Sequence, residues 1–191
     1  RDFMTPQRRA RVDAVRARRQ PDLTVMMERV HKPHNFSAVL RTADAVGILE
    51  AHAVVPRGGM PELSGTSKGA EKWLKVNQHP DTPSAIAALK AKGFQCFVAH
   101  FSDQAIDFRD VDYTQPTALI LGTEYHGVSP EAVELADGEI IIPMMGMTQS
   151  LNVSVANAVV MYEAQRQRQL AGMYDHCRLA AEQYRLSLIH I

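Results

Sequence analysis

The sequence predicts an α/β fold, a parallel sheet with helices on both faces. Short, nearly continuous apolar runs recur at residues 23–30, 94–100 and 117–122. Runs of that length and character belong to strands buried on both sides. Segments with helical spacing lie between them, and strands alternating with helices imply parallel crossover units. At 191 residues the chain suits one domain with a substantial core and short extensions.

The first strand, 23–30, leads into the turn His31-Lys32-Pro33-His34-Asn35. A helix is expected over 37–46, because Val39, Leu40, Ala43 and Val46 share a face and Gly47 suits its carboxyl-terminal cap. A second strand is expected at 51–55. Residues 57–69 read as a surface loop, with four glycines and Pro61. A short strand at 73–77 and a helix at 82–92, stopped by Gly93, come next. Strands follow at 94–100, 117–122 and 139–143. Between the last two, Ser129-Pro130-Glu131 is a helix start: a capping hydroxyl, a proline in the first turn and an acid beside it. A long helix should fill 152–172.

Hydrophobic residues make up 46% and charged residues 22%, an ordinary globular balance. Cys96 and Cys177 are too few for a disulfide framework, so a cytoplasmic setting is expected. The longest apolar stretch, 140–147, is broken by Pro143 and Gly146 and cannot span a bilayer. No apolar run follows the early arginines, so no secretory signal is expected. Formal charge sums to zero, but residues 1–20 hold seven arginines against two aspartates. The guanidinium fork matches phosphate oxygens, so this segment reads either as a phosphate-contacting arm or as a solvated amphipathic helix. Leu-Ser-Leu-Ile-His-Ile (186–191) matches the translation of a common transposase sequencing adapter. Native sequence is expected to stop near Arg185.

Chemistry is expected in three loops that follow apolar strands: 99–103, 122–129 and 144–152. In open parallel sheets, ligands bind beyond the carboxyl ends of the strands. These loops are polar and uncharged enough for a flat neutral ligand. Gly122 and Gly146 permit close backbone approach. The backbone of Ile142, Met144 and Leu151 suits an adenine edge. Glycine patterns for dinucleotides or nucleoside triphosphates are absent. Taken by spacing alone, ordinary strand-to-helix turns are the favoured reading. Asn35 or Ser37 can cap the next helix and attract an anion there; Arg41 then reads either as a phosphate contact or as a plain surface cation.

At this point three motifs carry a resemblance. HKPHNFSAVLRTADAVG, LGTEYHGVS and IIIPMMGMTQSLNVSVANAV occur in order, flanked by ARRQPDLTV and YEAQRQRQLAGMY. Together they resemble the SPOUT (SpoU-type) RNA 2′-O-methyltransferases, and within them the TrmH group. The resemblance covers residues 16–174. It implies a deep trefoil knot in the carboxyl-terminal part and a homodimer. It implies S-adenosyl-L-methionine as cofactor, tRNA as partner and methylation of guanosine 18 in the D-loop. It divides the chain into an arginine-rich helical extension (1–20), a knotted methyltransferase domain (21–165) and a carboxyl-terminal extension (166–191).

Residue by residue, the resemblance makes Asn35, Arg41, Glu124, Ser150 and Asn152 the catalytic set. Ala99, His100, Gly122, Ile142, Met144, Ser150 and Leu151 match cofactor-contacting positions; Ala99 stands where relatives often carry threonine. Arg8, Arg11, Arg19, His34, Arg166 and Arg168 would form the RNA surface. An arginine, with an intrinsic pKa above about 12, is a costly general base. Arg41 is therefore expected to stabilise the developing alkoxide electrostatically. The reaction needs no metal, and His31 and His34 read as turn residues rather than ligands. Tyr125 and His126 are placed at the cofactor pocket or in loop packing. The competing expectations are a ribosomal RNA 2′-O-methyltransferase and a noncatalytic RNA-binding module of the same fold.

Overall fold

The computed structural model describes residues 4–56, 58–61 and 74–189, with side chains as far as Arg185. Most of the expected 57–69 loop, and Trp73, lie outside the described residues. In chain order the elements are α1 (Pro6–Ala17), β1 (Leu23–Glu28), α2 (Pro33–Ala45), β2 (Glu50–Val54), β3 (Lys75–His79), α3 (Thr82–Ala91), β4 (Gln95–Ala99), β5 (Ile106–Asp107), β6 (Thr117–Leu121), α4 (Pro130–Leu135), β7 (Gly138–Ile141), α5 (Val153–Leu170) and α6 (Ala181–Ile189). A 3-10 turn, Phe108–Asp110, follows β5.

The strands form one seven-stranded sheet in the order β3-β2-β1-β6-β4-β7-β5, and every pairing is parallel. Side chains alternate across it, so each central strand serves two cores. Val25, Met27, Leu119 and Leu121 pack with α2 and α5 on one face. Met26, Ala118 and Ile120 pack with α3 and α4 on the other. Residues 23–28 and 117–121 are buried throughout, which explains their largely apolar character. The chain leaves β1 toward β2 and β3, then crosses to β4, and β6 inserts between the two halves. That reversal is a switch point, where carboxyl-terminal loops diverge and leave a crevice.

The expected helices are found, with one start displaced. Ser129 caps α4, accepting from the Ala132 N–H at 3.1 Å, with Pro130 in the first turn. Asn152 caps α5 through its side-chain oxygen. α2, however, begins at Pro33, and its cap position is Lys32, which offers no side-chain cap bond. Asn35 and Ser37 therefore sit inside the helix and are buried. Pro33 supplies the reason: its fixed φ suits the first turn, where its missing N–H costs nothing. Among the described residues no helix is long and apolar enough to cross a membrane.

Two arginines assigned to an RNA surface are structural instead. Arg168 is fully buried. Its Nε donates to the Tyr113 carbonyl at 2.8 Å, its Nη1 to Asp22 Oδ1 at 2.6 Å and Gln20 Oε1 at 3.0 Å, and its Nη2 to the Asp22 and Gln115 carbonyls at 3.1 Å each. One guanidinium thus ties α5 to the entrance of β1 and the entrance of β6. Arg178 grips the same Asp22 carboxylate. Arg19, 3% exposed, pairs with Asp44 at 2.7 Å and donates to the Ile48 carbonyl. Neither Arg168 nor Arg19 can reach a phosphate without breaking these bonds.

At the β2–β3 edge, buried His52 holds Nδ1 3.0 Å from His79 Nε2. Burial, then the neighbouring His79 and Lys92, depress the His52 pKa from 6.5 to about 4. Folding therefore favours the neutral ring, and stability is fully present above about pH 6.5. It is lost as pH falls toward 4, by on the order of 2–3 kcal/mol. His52→Gln should flatten urea midpoints across that window; an unchanged slope would count against a neutral His52. Arg168→Ala should lower unfolding free energy by about 3 kcal/mol, since it strands part of a buried ion pair. A normal urea midpoint accompanied by weakened RNA binding would restore the surface role.

Candidate active site

A cavity of about 530 Å³ opens where β4, β6 and β7 end. Ala99, His100 and Phe101 form one wall, and Gly122–Tyr125 a second. Ile140–Ile142, Met144 and Gln149–Val153 form the third, and Lys32, His34 and Asn35 at the start of α2 close it. The three expected loops therefore meet at one site. Its volume falls in the range of small-molecule pockets, and its walls mix apolar side chains with a few convergent polar groups.

The polar groups form one line. Asn152 Nδ2 donates to Asn35 Oδ1 at 3.2 Å, and Asn35 Nδ2 donates to Glu124 Oε1 at 3.3 Å. The Lys32 N–H donates to the same oxygen at 3.0 Å. Asn152 Oδ1 accepts from the N–H and hydroxyl of Ser154 at 2.8 and 2.6 Å. Both ends of each amide are committed, so the side chains are fixed in orientation as well as position. His31 Nδ1 lies 3.0 Å from Glu124 Oε2, an ion-pair distance without the alignment of a hydrogen bond. Burial raises the Glu124 pKa, but backbone N–H donors, the Asn35 amide and nearby His31 outweigh it. The net shift is downward, and the carboxylate is ionised at neutral pH.

The loop that carries Glu124 is clamped at both ends. A Cβ on Gly122 would come within 1.9 Å of the Gly127 carbonyl carbon, so only glycine fits. Thr123 and Gly127 exchange backbone hydrogen bonds of 3.0 Å across the loop. At the far end, buried Glu28 accepts from the Ser129 N–H and hydroxyl, both at 2.6 Å, and from the Thr82 hydroxyl.

The model of the SpoU rRNA Methylase family matches residues 22–162. The chain belongs to the SpoU methylase family. It is 58% identical over 180 residues to the tRNA (guanosine(18)-2′-O)-methyltransferase of Thermus thermophilus, covering 94% of this chain and 93% of that protein. Its fold matches the TrmH/SpoU tRNA modifying enzyme of A. aeolicus with a TM-score of 0.90 at 41% identity, over 96% of this chain and 94% of that one. It also resembles AviRb, a SpoU methyltransferase of Streptomyces viridochromogenes solved with AdoMet, at 27% identity and a TM-score of 0.69, over 81% and 61% of the two chains.

Against this SpoU scaffold the expected residues fall into three groups. Ala99, His100, Gly122, Ile142, Met144, Ser150 and Leu151 all line the cavity, as do Asn35, Glu124 and Asn152. Arg41 does not: it is exposed on α2, outside the cavity of its own chain. His34 sits at the cavity mouth, Arg8 and Arg11 are exposed on α1, and Arg166 is exposed but paired with Glu163 at 2.8 Å. Among the described residues no cluster of three or more His, Cys, Asp or Glu side chains could hold a metal. Phe101 and Gln149 lie in the expected loops 99–103 and 144–152 but were not singled out there, and neither were Lys32 in the wall or the His31–Glu124 contact. Phe101 alone carried a signal, an aromatic directly beyond a buried strand. Gly122→Ala should cost about 1–3 kcal/mol through overpacking. A thermal melt equal to that of the unmodified protein would show that the loop yields freely.

Proposed function

We propose that this chain transfers a methyl group from S-adenosyl-L-methionine to the ribose 2′-hydroxyl of guanosine 18 in tRNA. The observation that carries the reading is the Asn152–Asn35–Glu124 line beside the cavity, formed from three separate motifs. The T. thermophilus relative, whose name states that reaction, supports it. When bound, S-adenosyl-L-methionine supplies the methyl group. The cavity suits it: the backbone around Ile142, Met144 and Leu151 can read an adenine edge, and the apolar side chains of Ile142 and Leu151 flank a flat ring.

In the reaction an oxygen–carbon bond forms as a carbon–sulfur bond breaks, the sulfur leaves as a neutral thioether, and the hydroxyl proton passes to water. The residues here must hold the 2′-oxygen in line and offset the charge that develops on it. Asn35, Ser150 and Asn152 orient the ribose, and Glu124 fixes Asn35. Among the described residues no arginine lines this cavity in one chain, so the stabilising cation is read as Arg41 of the partner subunit in a homodimer. Met145, Met147, Val155, Tyr162 and Leu170 support a dimer. They are large apolar side chains between 48% and 99% exposed, on the segment after β7 and along α5. The carboxyl-terminal trefoil knot is part of the same proposal. It is supported by membership of the SpoU family and by the path of the chain, which passes beyond β4 to β7 and returns as α5 to pack on α2. Arg8, Arg11, His34 and Arg166 remain the proposed RNA contacts.

Incubation with tritiated S-adenosylmethionine and bulk tRNA or ribosomal RNA, followed by nuclease mapping, tests the reaction. Label at guanosine 18 of tRNA is expected; label confined to ribosomal RNA would overturn the substrate. Arg41→Ala should lower the single-turnover rate about 10²–10³-fold. Mixed dimers of Arg41→Ala with Asn152→Ala chains should regain activity, because one composite site keeps both groups. Inactive mixed dimers would place Arg41 in the cavity of its own chain.

A further inference from the structure

A second cavity, of about 490 Å³, opens beside the first. Its walls are Arg29, His31, Pro56, Thr123, Tyr125 and His126. Thr123 and Tyr125 line both cavities, so the two share a partition one loop thick. The chemistry changes across that partition. The first cavity holds the ionised Glu124; among the described residues the second is lined by a guanidinium, two imidazoles and a phenol ring, with no acidic side chain in its wall.

Two features show that this chemistry is held in place. Arg29 directly follows β1 with φ 57°, in the left-handed region that non-glycine residues rarely occupy. Its N–H donates to the Val54 carbonyl at 3.3 Å, which fixes the backbone there. Residues held in such conformations cluster at active sites and ligand clamps. Asp81 is an acid within electrostatic reach of Arg29, and its carboxylate is engaged in capping α3 through the Ser84 N–H. Tyr125 is 73% exposed and is steadied by two neighbours: its ring is stacked with that of His31, centroids 6.1 Å apart, and Lys32 Nζ sits over it, 4.8 Å from its centroid. His126 is anchored through its N–H to the Thr123 hydroxyl, and its ring is left exposed.

A cation paired with an exposed aromatic is the recognition chemistry of single-stranded RNA: phosphate to the cation, base to the ring. The cavity has the size of a nucleotide-scale site. We propose that it is a flanking-nucleotide subsite. It receives the RNA nucleotide adjacent to the one that is methylated, its phosphate between Arg29 and His126 and its base against Tyr125. The subsite rests on the RNA reading given above. It adds that the partition at Thr123 and Tyr125 separates two consecutive nucleotides, so that seating the neighbour aligns the target ribose with Asn35 and Asn152.

The test uses full-length tRNA assembled by ligation, with one methylphosphonate linkage placed on either side of the target. For one of the two linkages, loss of the phosphate charge should raise KM roughly ten-fold. In Arg29→Asn, a residue that tolerates the left-handed backbone, the same linkage should carry no added penalty. His126→Ala is the second variant if Arg29→Asn does not fold. An abasic neighbour should likewise cost the unmodified protein about ten-fold and Tyr125→Ala nothing further. Equal penalties in variant and unmodified protein, or no penalty at either linkage, overturn the subsite while leaving the methyl transfer standing. If the unmodified protein does not methylate the unaltered RNA at all, the RNA reading fails and the subsite with it.

Discussion

The site depends on how tightly the chain is held between β6 and α4. Glu28 ends β1 as a buried carboxylate, and among the described residues no guanidinium or ammonium pairs with it. It is satisfied instead by the Thr82 hydroxyl in the first turn of α3, and by the N–H and hydroxyl of Ser129, the cap of α4. A buried anion needs such donors, since an unpaired one would cost several kcal/mol. The α4 start also directs a backbone N–H, that of Ser129, at it. One side chain thus binds the central strand to two helices on the same face and fixes where α4 begins. At the other end Gly122 admits the Gly127–Val128 peptide where any side chain would collide. The residues between have little freedom, and Glu124 and Tyr125 stand at the tip of a closed loop.

From that loop the order spreads into the cavity. Glu124 has two oxygens and gathers donors from a different part of the chain, Lys32 and Asn35 at the start of α2. Asn35 passes the constraint to Asn152, and Asn152 passes it to the first turn of α5. Three motifs far apart in the chain become one rigid line, because an amide with a donor at one end and an acceptor at the other has a single satisfactory orientation. The lack of a capping side chain at the start of α2 fits this arrangement. A Ser or Asp at position 32 would cap the helix, but the Lys32 N–H and the Asn35 amide instead face the Glu124 carboxylate, which stabilises the same helix terminus from outside it.

Much of the fold was legible because its signals are local. β1 and β6 read as strands since both faces are buried, and α4 was marked by a hydroxyl, a proline and an acid in consecutive residues. β5, two residues long, and the 3-10 turn after it are too short to show a period. α6 runs past Arg185, where native sequence was expected to stop. The cofactor-side residues were found through the SpoU resemblance, which the cavity supports by collecting all of them. The errors over arginine were of one kind. Arg168 and Arg19 look like surface cations in a basic segment, and their character depends on partners that are distant in the chain, such as Asp22, 146 residues from Arg168. No local pattern distinguishes an arginine that binds phosphate from one that holds the sheet to its last long helix.

Arg41 is the instructive case, because its sequence motif and its position in one chain point different ways. Within a single chain the reaction end of the cavity presents an ionised carboxylate, two amides and hydroxyls, while the Lys32 ammonium is drawn toward the Tyr125 ring. Loss of the hydroxyl proton, which makes the ribose oxygen nucleophilic, builds negative charge on that oxygen before the methyl group is bonded to it. A carboxylate alone beside that oxygen would oppose the change. In the proposed dimer, two identical carboxyl-terminal faces, each rich in exposed methionine and each carrying an exposed arginine on the neighbouring helix, supply the missing charge to one another. The same pairing covers the apolar surface that α5 leaves bare. On this proposal an isologous contact does both at once, with the cation that one site needs carried outside that site on its own chain.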